Sequence, residues 1–317
     1  MSDILREPIE EFGLIKKSKT NTLFSKIGVV GCGKIGQMIA RISSTAGIEV
    51  VFIEVSDEKI QEAIDSITHT LDEMIGHWGM TESEKRAILS RIQGAVDYNA
   101  LKGCEFVIEA INAVDRGRRI ADRKEIFRMI EDEVDDDCII ATNSTTIIVT
   151  ELSSELKHKE RSVGLHFLIN SSEARMVELM RGLYTSDETY QRVIKFVNLI
   201  NYGVIPVEES AGLVSVRMFT VILNEACEIL MEGVAALKDI DETMKVGFGM
   251  RIGPFETADT IGLDKVVRWM DNMYTEFGDM KYKPSPVIKR LVRAKQFGVQ
   301  TGKGFYKYDE NGNHIIG

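Results

Sequence analysis

Along the first two thirds of the chain, short apolar runs rich in β-branched residues alternate with longer amphipathic stretches. Lys26–Val30 (KIGVV) is too short for a helix and runs into glycines, so it predicts a strand. Lys34–Ala46 places apolar residues at helical spacing and stops at Gly47, a suitable C-terminal cap. Glu49–Val55 predicts a second strand. Residues 57–92 read as a charged helical pair broken near Gly79–Thr81, where Thr81 and Glu84 fit a capping box. Phe106–Ala110, Ile139–Thr142 and Val163–Phe167 predict further strands, separated by helical stretches such as Arg123–Val134 and Asp187–Ile200. This alternation implies parallel pairing in a doubly wound α/β sheet, here with an inserted helical pair. After Val204–Val207 the pattern changes: residues 213–237 and 254–277 are helical in period, and strand signals stop until the last residues. The expected division is a polar leader over 1–25, a Rossmann-like domain over 26–208 and a smaller all-α domain over 209–317.

Composition narrows the class. The chain has 317 residues, enough for two domains with sizeable cores and no need of metal or disulfide staples. It carries 39 basic and 49 acidic residues, a net charge of −10, which argues against a nucleic-acid or anionic-membrane binder. No apolar run has the length of a membrane span, and the first residues lack the apolar core of a secretory signal. Cys32, Cys104, Cys138 and Cys227 lie far apart without metal-ligand spacing. They read as buried thiols in a reducing cytoplasm, and no metal is expected.

The chemistry starts at Gly31-Cys32-Gly33-Lys34-Ile35-Gly36, a GxGxxG that follows a strand and opens a helix. Gly31 permits a tight turn, Gly33 lets a pyrophosphate approach the backbone, and Gly36 lets the helix pack on the strand. The helix start, with Lys34 and Ile35, supplies free N–H groups and partial positive charge. Glu54 ends the second strand, 23 residues beyond Gly31, where a carboxylate binds ribose hydroxyls and repels a 2′-phosphate. The cofactor expected is therefore NAD. The alternative is a glycine-rich turn beside a surface Glu.

A nicotinamide moves a hydride, so oxidising an alcohol also needs a base for the hydroxyl proton. Of five histidines, His69, His77, His158 and His314 fall in charged or polar segments and read as solvated. His166 interrupts the apolar strand Val163–Ile169, late in the sheet, where ligands of open α/β sheets bind. It is either a hydrogen-bonded core residue or the base. Glu178, inside the apolar run Met176–Met180, could fix its tautomer, or could lie exposed on an edge strand. Thr142-Asn143-Ser144-Thr145-Thr146 follows another strand. These residues could hold a nicotinamide amide or substrate oxygen, cap a helix over Ile147–Leu156, or do both.

The chain resembles the L-3-hydroxyacyl-CoA dehydrogenases, and within them the single-function bacterial 3-hydroxybutyryl-CoA enzymes. The resemblance runs from about Lys26 to Tyr308 on KIGVVGCGKIGQMIA, FVIEAI, ATNSTT, VGLHF with VEL downstream, LNEACEIL, GPFETADTIGLD and TGKGFYKY. It implies a His–Glu dyad at His166 and Glu178, twelve residues apart, as in the family. It further implies Thr145 near substrate and nicotinamide, Glu109 and Asn143 near the cofactor, and Arg217 at the substrate. The fold implied is a Rossmann-like domain with a helical domain that forms a homodimer, the site lying in the cleft between them. The reaction implied is NAD-dependent oxidation of a short-chain 3-hydroxyacyl-CoA, or the reverse, in fatty-acid and butanoate metabolism.

Three departures stand against the pattern. The family's P-G-F-x-x-N-R is Ala211–Arg217 here, so the Asn that places the substrate carbonyl is Val216, which cannot donate a hydrogen bond. Helical geometry points neighbouring Ser215 elsewhere. The family's H-F-F-N-P becomes His166-Phe167-Leu168-Ile169-Asn170. Residues 111–123 are longer than the usual connection and carry Arg116, Arg118 and Arg119, either as a solvated loop or to receive an anion. The helical pair has few lysines for CoA over residues 57–80. Two alternatives stay open: a sister dehydrogenase acting on a small polar 3-hydroxy acid without CoA, and an NAD-binding protein weakened in catalysis.

Overall fold

The computed structural model describes residues 24–76, 79–111, 119–168 and 175–315. Most of the expected leader, His77, the arginines at 116 and 118, and Ile169 with Asn170 lie outside the described residues. Eight strands form one sheet in the order β3-β2-β1-β4-β5-β6-β7-β8. They are β1 (Lys26–Val30), β2 (Glu49–Ile53), β3 (Ile92–Ala95), β4 (Phe106–Glu109), β5 (Ile139–Thr142), β6 (Ser162–Phe167), β7 (Met176–Arg181) and β8 (Gly203–Glu208). All neighbours pair in parallel except β6 and β7, which are antiparallel. The sheet is therefore the Rossmann-like doubly wound sheet expected, with one antiparallel pair that strand–helix alternation does not predict. Strand order reverses between β1 and β4, and ligands of open α/β sheets bind beyond the carboxyl ends at such a switch point.

Both faces are covered. Helices α1 (Lys34–Thr45), α2 (Asp57–Gly76), α3 (Glu82–Leu89) and α6 (Asp187–Leu199) bury Ile39, Ile67, Ile88 and Phe196 against one face. Helices α4 (Arg119–Glu133) and α5 (Val149–Ser153) bury Phe127, Ile130 and Leu152 against the other. Such near-continuous apolar strands are what two-sided burial demands. The α2–α3 pair breaks where expected, and Thr81 and Glu84 make both bonds of the capping box. Its second helix stops at Leu89, because Ile92 already opens the edge strand β3. That strand has four residues, only Ile92 of them buried, and so carries no apolar run.

The rest is helical: α7 (Ser215–Met231), α8 (Leu237–Phe248), α9 (Pro254–Ile261), α10 (Leu263–Phe277) and α11 (Pro286–Arg293). Gly262, at φ +102°, breaks the expected 254–277 helix into α9 and α10. The strand signals near the end become isolated bridges, among them Tyr308 with His314. This tail is latched to the helical core by Asp259. Its buried carboxylate accepts from Phe305 N–H at 3.0 Å, Tyr306 N–H at 2.9 Å and the Tyr308 hydroxyl at 3.0 Å. Burial pushes this carboxyl up from its ordinary range, against those three bonds. Asp259→Ala would orphan three donors, a loss of roughly 3 kcal/mol. Calorimetry should show a melting temperature lower by on the order of 5 °C or more. An unchanged melting temperature would show that the latch does not hold the fold.

Candidate active site

One cleft brings the glycine loop, the ends of β5 and β6, the start of α7 and one side of α10 together. At the loop, Gly31 has φ +90°, and a Cβ there would sit 2.9 Å from the Ile111 Cα. A Cβ on Gly36 would lie 2.1 Å from the Gly31 carbonyl oxygen, so no side chain fits between helix and strand. A Cβ on Gly33 would meet nothing within 4 Å, because this residue faces the open cleft. Gly33 is also the N-cap of α1, with no side-chain cap and no acid in the first turn. The helix thus offers unpaired N–H groups and partial positive charge to an anion. Glu54 Oε1 accepts from the Cys32 N–H at 2.6 Å, so the acid stands beside the loop. Lys34 and Ile35 line the cleft with Gly31, Gly33 and Glu54. These residues fit a dinucleotide.

At the other end, antiparallel pairing sets His166 directly opposite Glu178 across β6 and β7. Side chains of directly opposed residues share a face and stand close enough to bond. His166 Nδ1 lies 2.8 Å from Glu178 Oε2. Both are buried, and His166 lines the cleft. β7 is no edge strand, since β8 covers it. Three more donors converge on Glu178: Val214 N–H at 3.1 Å, Ser215 N–H at 2.9 Å and the Ser215 hydroxyl at 2.7 Å. The acid therefore caps the start of α7. Burial pushes its carboxyl up, but the bonds from His166 and Ser215 outweigh that and hold it below its ordinary range. Glu178 stays an anion.

The structure sorts the other residues read from the sequence. Thr145 is buried and lines the cleft, and its carbonyl accepts from Gly212 N–H at 2.7 Å. Asn143 also lines it, and Asn143 Oδ1 accepts from Phe167 N–H at 3.2 Å, tying β5 to β6. This cluster does not cap α5, whose N-cap is Ile148. Glu109 is fully buried next to the cleft-lining Ala110 and Ile111. Its carboxylate pairs with Arg123 and accepts from Ile111 N–H at 2.8 Å and Thr142 Oγ1 at 2.7 Å. It braces the strand ends under the cofactor region. Arg217 turns away from the cleft: Nε donates to the Tyr282 hydroxyl at 3.0 Å and Nη1 to Ser210 Oγ at 3.1 Å. These two bonds hold Arg217 one residue beyond the cleft-lining Val216. Val216 is buried and clusters with Met273 and Tyr282. Ser215, expected to point elsewhere, lines the cleft beside it, because the first turn of α7 meets the site end-on.

The sequence pattern turned Ser215 away from the site and did not single out Arg123 or Asn272. Asn272 Nδ2 donates to Thr146 Oγ1 at 2.8 Å and joins the two domains across the cleft. A Ser opening an apolar helix was the one legible signal among them. The other described histidines lie elsewhere: His69 is exposed and His158 partly buried, both near acids, and His314 stacks on Tyr306 in the tail latch. All four cysteines are free and buried, and no cluster among the described residues could hold a metal ion. No helix among the described residues is long and apolar enough to cross a membrane.

A dinucleotide loop and a buried His–Glu pair facing one cleft between two domains define a nicotinamide-dependent oxidoreductase. Sequence comparison narrows the class. The NAD-binding domain of 3-hydroxyacyl-CoA dehydrogenase matches residues 26–210, and the C-terminal domain of the same family matches 212–308. A 3-hydroxybutyryl-CoA dehydrogenase of Clostridioides difficile is 32% identical over 285 residues, covering 90% of this chain and 100% of its own. The crystal structure of FadB2 from M. tuberculosis superimposes with a TM-score of 0.86 at 30% identity, covering 90% of this chain and 99% of its own. That of (S)-3-hydroxybutyryl-CoA dehydrogenase from Ralstonia eutropha gives 0.82 at 35% identity, covering 90% and 100%. The chain belongs to the 3-hydroxyacyl-CoA dehydrogenase family.

Proposed function

We propose that the protein oxidises the 3-hydroxyl of a short-chain L-3-hydroxyacyl-CoA to the ketone, or runs the reverse reduction, with NAD. The observation that carries this reading is the His166–Glu178 bond of 2.8 Å at the wall of the cleft that also holds the glycine loop. Because Glu178 is an anion, the His166 Nδ1–H donates to it and Nε2 is left as the acceptor. Nε2 takes the hydroxyl proton, and Glu178, held by Ser215, stabilises the imidazolium that forms. Bound NAD would supply the acceptor for the hydride of C3. Gly31, Gly33, Lys34 and Ile35 would receive its pyrophosphate and Glu54 the adenosine ribose, while Gly36 keeps the helix seated. Thr145 and Asn143 hold the reacting end of the cleft.

A second reading rests on Val216. Its apolar side chain packs against Met273 at the place where the family carries Asn, so the substrate carbonyl loses a donor. A small polar 3-hydroxy acid without CoA would need that donor less. NADH oxidation with acetoacetyl-CoA, run beside free 3-keto acids, separates the two. Turnover of acetoacetyl-CoA, raised in Val216→Asn, is the expected result. Turnover of the free acids alone would overturn the CoA reading, and no turnover with either would leave a protein that binds NAD without catalysis.

We further read residues 209–317 as a dimerisation domain. Val214, Met218 and Val221 leave one exposed apolar stripe along α7, at helical spacing. A second copy would cover it. The four free thiols suit a reducing cytoplasm.

A further inference from the structure

The helical domain turns a charge toward the glycine loop that nothing in the described residues balances. The first turns of α10 present Asp264, Lys265 and Arg268 to the cleft lined by Gly33 and Lys34. Asp264 is committed: it accepts from Arg268 Nη1 at 2.6 Å and from Gln300 Nε2 at 3.2 Å. Arg268 is thereby neutralised. Lys265 is not. Among the described residues no carboxylate oxygen lies within 4.0 Å of its ammonium, which instead sits 5.0 Å from the centre of the Trp269 ring.

Lys265 is half-buried, and burial pushes its ammonium below the ordinary range. Arg268 and Lys34 push it the same way, and Asp264 only partly opposes them. Desolvating a cation beside two others is unfavourable unless an anion joins them. Lys34 opens α1 at the loop that binds phosphate through its backbone, and its charge reaches Lys265. One anion placed there would meet the helix start, Lys34 and Lys265 together.

The run of α10 says which anion. Seven residues beyond Lys265, Asn272 bonds Thr146 at the reacting end of the cleft. At 1.5 Å per residue the two positions lie about 10 Å apart along the helix. α10 thus spans from the glycine loop to the threonine cluster, as an extended dinucleotide spans from pyrophosphate to nicotinamide.

We propose that Lys265 is a clamp from the helical domain on the dinucleotide pyrophosphate, engaging it from the side opposite the glycine loop. Cofactor binding then draws the two domains together. This rests on the NAD site at the loop and not on the identity of the substrate.

The test uses the full chain, with NADH and acetoacetyl-CoA titrated separately by calorimetry. The parent's own NADH isotherm checks the loop site, so failure of that site is read apart from failure of the clamp. Lys265→Met should weaken NADH binding about tenfold, the scale of one charge-assisted hydrogen bond. Lys265→Arg should stay within about threefold, since it keeps the charge. The loss in Lys265→Met should shrink at high salt, and acetoacetyl-CoA binding should not change. Melting temperatures confirm the fold, with Lys265→Gln as the substitute should the Met variant not fold. NADH affinity within about twofold of the parent in the neutral variant would overturn the clamp. So would a loss confined to acetoacetyl-CoA, which would assign the charge to the substrate.

Discussion

His166→Gln is expected to slow hydride transfer by roughly a thousandfold or more while NADH binds as before. Glutamine fits the space and can still donate to Glu178, so the strand pair and the start of α7 keep their bonds. What it cannot do is take a proton at the position of Nε2. Oxidation would then leave the hydroxyl proton to water, and reduction would lack its acid. The glycine loop and Glu54 lie at the other end of the cleft and are untouched. Stopped-flow absorbance of NADH measures the step, and calorimetry measures the binding. A rate within tenfold of the parent would remove His166 from the proton transfer. Loss of NADH binding instead would mean that the residue shapes the fold rather than the chemistry.

The cofactor half of the site was legible because it is local. Gly31, Gly33, Gly36 and Glu54 act through backbone conformation and close approach, and both are written in residue type and spacing. The strands β1, β4 and β5 were legible because both faces are buried, which leaves unbroken apolar runs. Edge strand β3 was not, because three of its four positions meet water. The catalytic half is non-local. His166 and Glu178 meet through one antiparallel pairing in an otherwise parallel sheet, and alternation of strands with helices predicts only parallel neighbours. Their twelve-residue separation carried meaning through family resemblance, not through periodicity. Ser215 was misread for a related reason. Helical spacing assigns faces along a helix, but the first turn of α7 points its end at the acid, where neighbouring residues both reach the site. The bond of Arg217 to Tyr282 was equally unwritten in spacing, since the motif names the residue but not its partner within the helical domain.

Glu178→Gln should lower turnover by roughly a thousandfold to ten-thousandfold, although it alters no atom that touches substrate. Every partner of this carboxylate is a donor: the His166 ring, the Ser215 hydroxyl, and the N–H groups of Val214 and Ser215. An amide has one accepting end. If its NH₂ faces Val214 and Ser215, donors meet donors at the start of α7, and buried groups go unpaired. If it faces His166, the ring must accept at Nδ1 and carry its proton on Nε2, the wrong tautomer for a base. Either orientation also removes the negative charge that stabilises the imidazolium. Ser215→Ala deletes a single donor and keeps the anion, so it should cost about tenfold. The same pair of variants tests the electrostatics through stability. The depressed carboxyl of Glu178 stabilises the fold above the ordinary carboxylate range, and that contribution is lost as pH falls through its folded value. The stability gap between parent and Glu178→Gln should therefore be widest at neutral pH and narrow in acid. Pre-steady-state rates and denaturant melts across pH measure both. A Glu178→Gln rate within tenfold of the parent, or a stability gap that widens in acid, would show that His166 works without this anion.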